Sequence, residues 1–234
     1  MEILGIKIDN LNMEEVLKRI DSFLKDDQQH YLVTPNPEFL VKAQKDKKFR
    51  EILNQADLSI PDGVGLIFAS WILGQPIKER VAGIDLMEAI CERAAQKNWP
   101  VFLFGAEEGI AEKATENLKV KYPGLNIRVL RSDLRKGPTL KPQTSILFVA
   151  LGAPKQEKWI VENLKQMPSV KLALGVGGAF DFISGRIRRA PKLIQKVGIE
   201  WLWRFSRQPW RVKRIYNAIV KFPWLVIKSK FIHN

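Results

Sequence analysis

The chain has 234 residues, 46% of them hydrophobic and 27% charged, with a net charge of +13. That balance provides a sizeable core in one large domain, or one domain plus an appendage, and excludes a disordered chain. Cys91 is the only cysteine, so no intrachain disulfide and no cysteine zinc cluster is expected; no window of about 18 residues is apolar and uncharged, so no transmembrane helix is expected either.

MEILGIKIDN is a mixed, strand-like opening without the basic and apolar pattern of a signal peptide, which points to a cytoplasmic chain. Asn12 with Glu15 three residues on spells a capping box for a helix over 12–25. HYLVT predicts a strand over 30–34, followed by a helix over 37–55, a strand over 57–60 and a helix over 63–73. The next helix, 84–98, sets Leu86, Ile90 and Ala94 on one face. Strands follow over 100–105, 125–130, 144–151 and 171–176, with helices over 107–121 and 154–166 between them. Strand and helix alternate, which predicts an α/β, Rossmann-like, mostly parallel sheet flanked by helices. VFLFG and SILFVAL carry almost no polar residue, as strands buried on both faces should.

Composition shifts near residue 186. From Arg186 to the last residue the chain carries +12 with Glu200 as its sole acid, and holds four of the seven tryptophans. The first 185 residues carry only +1. We divide the chain into a catalytic body, 1–190, and a basic, Trp-rich helical appendage, 191–234, cut by Pro191, Pro209 and Pro223 into three short helices. Val212, Ile215, Ile219 and Phe222 form an apolar stripe with Arg211, Lys213, Arg214 and Lys221 largely off it. This mixture suits a helix lying in an anionic membrane interface. The alternative is a helix packed on the core with a solvated basic face.

In an open parallel sheet, ligands sit beyond the carboxyl ends of the strands. The loops there read TPNPEF, PDGVG, GAEEG, GAPKQEKW and GVGGAFDFISG, and the topology places all five on one rim. Each has a plain reading as well. Pro-Asp-Gly around Asp62 is a turn, and Thr34 and Asn36 between prolines are a turn and a helix cap. Lys155 and Gln156 stand in the first turn of a Pro-started helix, where free N–H groups and the dipole suit phosphate. Gly175, Gly177 and Gly178 let backbone approach a ligand closely, and Arg80 precedes a Gly-started helix. P-loop, G-x-S-x-G and H-E-x-x-H motifs are absent, Asp-x-Asp is absent, and His30 and His233 are the only histidines. A phosphate-handling enzyme would therefore rely on cations and helix ends.

Together, TPNPEF, PDGVG, RVAGIDL, GAPKQEKW and GVGGAFDFISGRIRRAP, in this order over essentially the whole chain, resemble the WecG/TagA/CpsF family of glycosyltransferases, as does the tail GIEWLWRFSRQPWRVKRI. The nearest branch is that of the wall teichoic acid N-acetylmannosaminyltransferases. The resemblance implies inverting, metal-independent and cofactor-free transfer of N-acetylmannosamine from UDP-N-acetylmannosamine to the 4-hydroxyl of undecaprenyl-diphosphate-linked N-acetylglucosamine. It makes Asp62 the general base; the sequence leaves open that Asp85 or Asp181 shares that role, although Asp85 suits a helix start and Asp181 suits tying down the glycine loop. Thr34 and Asn36 would contact sugar, while Arg80, Lys155, Gln156, Gly175, Gly177 and Gly178 would serve the UDP. In the tail, Arg204, Arg207, Arg211 and Arg214 would meet a diphosphate or the anionic inner face of the cell membrane. Deleting 191–234 is expected to leave a folded core that is inactive on lipid-linked acceptor. A different UDP-sugar donor is the closest rival, nucleic acid binding by the tail the more distant one, and the sequence leaves a homo-oligomer open.

Overall fold

Among the described residues, chain order and hydrogen bonding build two sheets, a two-stranded N-terminal hairpin and a six-stranded parallel sheet. The computed structural model describes residues 1–130, 145–208, 210 and 212–232, and of 196, 197, 204, 207 and 232 the backbone alone. The elements are β1 (Glu2–Ile3), β2 (Ile6–Lys7), α1 (Met13–Phe23), β3 (His30–Val33), α2 (Pro37–Ala43), α3 (Lys47–Gln55), β4 (Leu58–Ser59), α4 (Val64–Ile72) and α5 (Gly83–Lys97). There follow β5 (Val101–Gly105), α6 (Ile110–Lys121), β6 (Ile127–Leu130), β7 (Ser145–Ala150), α7 (Lys155–Asn163), β8 (Val170–Gly175) and α8 (Ala179–Ile183). The tail adds α9 (Lys192–Val197), α10 (Glu200–Arg207), α11 (Val212–Tyr216), a π turn (Asn217–Lys221) and α12 (Phe222–Ile232).

The large sheet has the order β4-β3-β8-β7-β5-β6, every pair parallel. All six residues of β7 are buried, so its alternating side chains feed two different cores. Ile146 and Phe148 pack with Leu172 and Leu174 against α1, α5, α6 and α8. Leu147 and Val149 pack with Phe102, Ala173 and Ile160 on the α7 side. A third cluster joins the N-terminal hairpin, α2, α3 and α4 to Phe222 and Val226 of α12. The appendage thus shares a core with the body, because two of its apolar side chains are 1% and 0% exposed there.

Local sequence explains most boundaries. The Asn12 side chain accepts from the Glu15 N–H at 2.9 Å while Glu15 accepts from the Asn12 N–H at 2.8 Å, the reciprocal cap the sequence spells. The helix expected over 37–55 is two helices, because Asp46 caps a new start by accepting from the Phe49 N–H at 3.0 Å. The tail also departs from three proline-delimited helices. Pro191 does precede a helix, but that helix ends at Gly198, whose φ of +80° reverses the chain into α10. Pro223 does not begin a separate helix: α11, the π turn and α12 run on without a break. A proline within a helix removes an N–H and crowds the preceding turn, and the turn that widens to π geometry ends at Lys221, two residues before Pro223. Pro209 and Arg211 lie outside the described residues.

Candidate active site

The five loops do share the carboxyl edge of the sheet. They enclose a polar cavity of about 550 Å³ lined by Thr34 and Asn36 after β3, Asp62 after β4, Ala106 and Glu107 after β5, Gly152 and Gln156 after β7, and Gly175–Gly178 after β8. This is where the sheet order reverses: the chain leaves β5 toward β6 and β7 toward β8 on opposite sides. Thr34 is 7% exposed at the end of β3. Asn36 caps α2, its side-chain oxygen accepting from the Phe39 N–H at 3.1 Å.

PDGVG is indeed a turn, and its position makes Asp62 more than one. The Asp62 N–H donates to the Pro35 carbonyl at 2.8 Å, stitching this turn to TPNP. Gly63 caps α4 with a φ of +112°, a conformation that frees the backbone to turn while the preceding carboxylate faces the cavity. The carboxylate accepts one long bond, 3.2 Å, from the Gly83 N–H at the start of α5. Burial pushes its pKa up to about 6; the Gly83 bond and Arg80 offset part of that rise, and Glu200 and Asp85 add to it. A carboxylate ionised at neutral pH but carrying appreciable basicity is suited to taking a proton.

Two sets of ion pairs flank Asp62. On one side Glu200, the only acid of the tail, lies 3.9 Å from Arg80 and 3.5 Å from Arg189. Arg189 also forks onto Asp85 at 2.5 and 2.9 Å. On the other side Glu38, 6% exposed, receives Lys42 at 2.9 Å and Arg214 of the tail at 2.6 Å. Burial works against the Glu38 carboxylate, but Arg214 and Lys42 outweigh it and hold its pKa below the usual range. The body's cations therefore hold the tail's acid, and a body acid holds a tail cation, with the site mouth between.

An apolar groove of about 670 Å³ opens on the other side of Asp62. It lies between α4, which supplies Phe68, Ala69 and Ile72, and the tail, which supplies Ile199, Phe205, Ile215, Ile219 and Phe222. Asn36, Asp62, Glu200 and Arg214 line both the groove and the polar cavity. Phe68, Trp71 and Trp224 remain 56%, 60% and 57% exposed on the elements that form it. Among the described residues no helix is long and apolar enough to cross a membrane.

The structure thus gathers Thr34, Asn36, Asp62, Arg80, Gln156, Gly175, Gly177, Gly178 and Arg214 around the two connected spaces. Lys155 does not join them: it is exposed and lines neither, because the α7 register that buries Gln156 and Glu157 turns Lys155 outward. The side chains of Arg204 and Arg207, and all of Arg211, lie outside the described residues. Asp85 is taken up by Arg189, and Asp181, lining the polar cavity, lies 3.5 Å from Arg186. Glu38 and Glu200 line the site, and Glu157 and Arg189 stand behind its lining, bonded to Gln156 and to Asp85; motif reading passed over all four. The apolar stripe of α7 carried the signal for one of them, since Gln156 and Glu157 stand four and three residues before Ile160. Glu200 could have been singled out as a lone acid in a stretch of +12.

A 32% identical relative from Staphylococcus aureus (strain MRSA252), aligned over 98% of this chain and 93% of its own length, is named N-acetylglucosaminyldiphosphoundecaprenol N-acetyl-beta-D-mannosaminyltransferase. A relative of the same name from Bacillus spizizenii is 31% identical over 89% of this chain and 83% of its own. The model of the glycosyl transferase WecG/TagA/CpsF family matches residues 1–234, so both the body with its rim of loops and the basic tail are accounted for. The chain belongs to the WecG/TagA/CpsF family of glycosyltransferases.

Proposed function

We propose that this chain transfers N-acetylmannosamine from UDP-N-acetylmannosamine to the 4-hydroxyl of undecaprenyl-diphosphate-linked N-acetylglucosamine, with inversion to a β-1,4 linkage and without a metal. The observation that carries this reading is the position of Asp62, where a polar cavity meets an apolar groove. A nucleotide sugar suits the first space and the start of a prenyl chain the second, which brings both substrates to one carboxylate. The names of the relatives support the same acceptor and the same transferred sugar.

In this mechanism the Asp62 carboxylate takes the proton of the acceptor hydroxyl as its oxygen attacks the anomeric carbon from the face opposite UDP. The bond from that carbon to the diphosphate oxygen breaks, and UDP carries away the electron pair. A positioned base is worth about 10²–10⁴-fold. Thr34 and Asn36 hold sugar beside it, Arg80 and Arg214 meet diphosphate charge, and the Gly175–Gly178 turn admits the donor closely. Residues 1–190 serve as the catalytic body and 191–234 as the appendage that meets the anionic membrane surface. The exposed Trp71, Trp224 and Phe231, with Lys228 5.1 Å over the Trp224 ring, support that contact.

The test is turnover of UDP-N-acetylmannosamine with a lipid-linked N-acetylglucosamine acceptor in vesicles containing anionic lipid, with chelator present. UDP release coupled to a disaccharide-lipid product is expected. Transfer from another UDP-sugar in preference, or dependence on a divalent ion, would overturn the donor or the metal-free mechanism respectively.

A further inference from the structure

Gln156 and Glu157 are polar, adjacent and nearly inaccessible, 2% and 1% exposed. The Gln156 side-chain oxygen accepts two backbone N–H groups from different loops, Gly152 at 3.1 Å and Gly177 at 3.0 Å. Gly152 follows β7 and Gly177 follows β8, so one carboxamide ties together the turns of two neighbouring strands. An amide oxygen can face both donors only if its NH₂ is turned away, since NH₂ against N–H would leave buried donors unpaired. The turned-away Nε2 donates to Glu157 Oε1 at 2.7 Å, while Glu157 Oε2 is buried without a hydrogen-bond partner.

A buried carboxyl group with an unused oxygen is a poor way to stabilise a helix start; an apolar side chain of similar size would do better. Burial alone pushes the Glu157 carboxyl up to about 7, with the Gln156 bond, its own backbone N–H and Lys42 opposing it. The backbone is also fitted to the amide: a Cβ on Gly175 would lie 2.6 Å from Gln156 Nε2 and 2.9 Å from its Cδ. Gly175 is thus required for the space it leaves to Gln156.

We propose that Glu157 is a positioning residue for the donor: by holding the Gln156 amide in one orientation, it fixes the Gly152 and Gly177 turns as the wall of the polar cavity against which the nucleotide diphosphate binds. The assignment rests on the reading of that cavity as the donor site. Glu157 itself touches no substrate and acts through Gln156.

The experiment compares the full-length chain with Glu157→Leu, Glu157→Gln and Gly175→Ala. Amide exchange is followed by selective ¹⁵N-glycine labelling, UDP binding by calorimetry, and donor KM and kcat by turnover. In Glu157→Leu and Gly175→Ala the Gly152 and Gly177 amides should exchange faster, UDP affinity should fall roughly tenfold, and kcat/KM should fall far more than kcat. Glu157→Gln keeps an oxygen acceptor and should restore both exchange and affinity. Wild-type exchange and UDP affinity in Glu157→Leu overturn the proposal, as does a Glu157→Gln variant as impaired as the leucine. If Glu157→Leu does not fold, Gly175→Ala and Glu157→Gln decide by the same readouts. Faster glycine exchange in the variants together with no UDP binding by the wild-type chain overturns the donor part, because the cavity reading beneath it has then failed.

Discussion

Replacing Asp62 by Asn should abolish turnover and stabilise the protein, and the second effect should depend on pH. Asn keeps an oxygen for the Gly83 N–H and the size of the turn residue, and removes only the charge. The wild-type carboxyl titrates near 6 in the fold against 3.8 in the unfolded chain. Being raised, it favours the folded state less and less as pH climbs: the penalty is small at pH 4, grows between 4 and 6, and is complete above about 7. Two pKa units correspond to about 3 kcal/mol; the carboxylate's open side toward the cavities reduces this to about 1–2 kcal/mol. For a chain of this size that is a rise of about 2–8 °C in Tm at pH 8, shrinking toward zero at pH 4. Thermal melts across pH 4–8 and turnover at saturating donor measure both halves, with activity expected to fall about 10²–10⁴-fold. Wild-type kcat/KM should climb through about pH 6 as the base ionises. A variant that is destabilised equally at every pH, or that keeps its turnover, would show that Asp62 is only a turn residue.

Other outcomes follow from the packing. Deleting 191–234 should abolish transfer to lipid-linked acceptor and also weaken the body, because Phe222 and Val226 leave a buried cluster; at about 1.5–3 kcal/mol each the loss shows readily in a denaturant melt. Glu38→Gln leaves Lys42 and Arg214 facing a neutral partner, so the tail should become more sensitive to proteolysis while the sheet stays folded. Cys91, wholly buried with its thiol pushed up to about 12, should resist maleimide in the native protein and react only on unfolding. Arg80→Lys should impair transfer, since an ammonium cannot reproduce the two-pronged grip of a guanidinium on a diphosphate; Arg80 lines the groove and not the polar cavity, so acceptor KM measures the loss.

Much of this was written in the chain itself. The capping box at Asn12 and Glu15, the uniformly apolar SILFVA strand and the strand–helix alternation determined a parallel sheet, because period and local hydrogen bonding are local properties. The parallel sheet in turn put TPNPEF, PDGVG and the glycine turn of residues 175–178 on one rim. Only the tertiary structure decided which side chains at that rim are available. Register turned Lys155 outward and Gln156 inward, a difference of one residue on a helix that no motif can express. Docking of the tail decided that Glu200 and Arg214 flank Asp62, because those ion pairs join residues more than a hundred positions apart in the chain. The apolar groove likewise belongs to no segment, since its walls are α4 on one side and the last helices on the other. Asp62 shows both levels together: the sequence determined the turn, and the fold raised the basicity of the turn's carboxylate by withdrawing it from water.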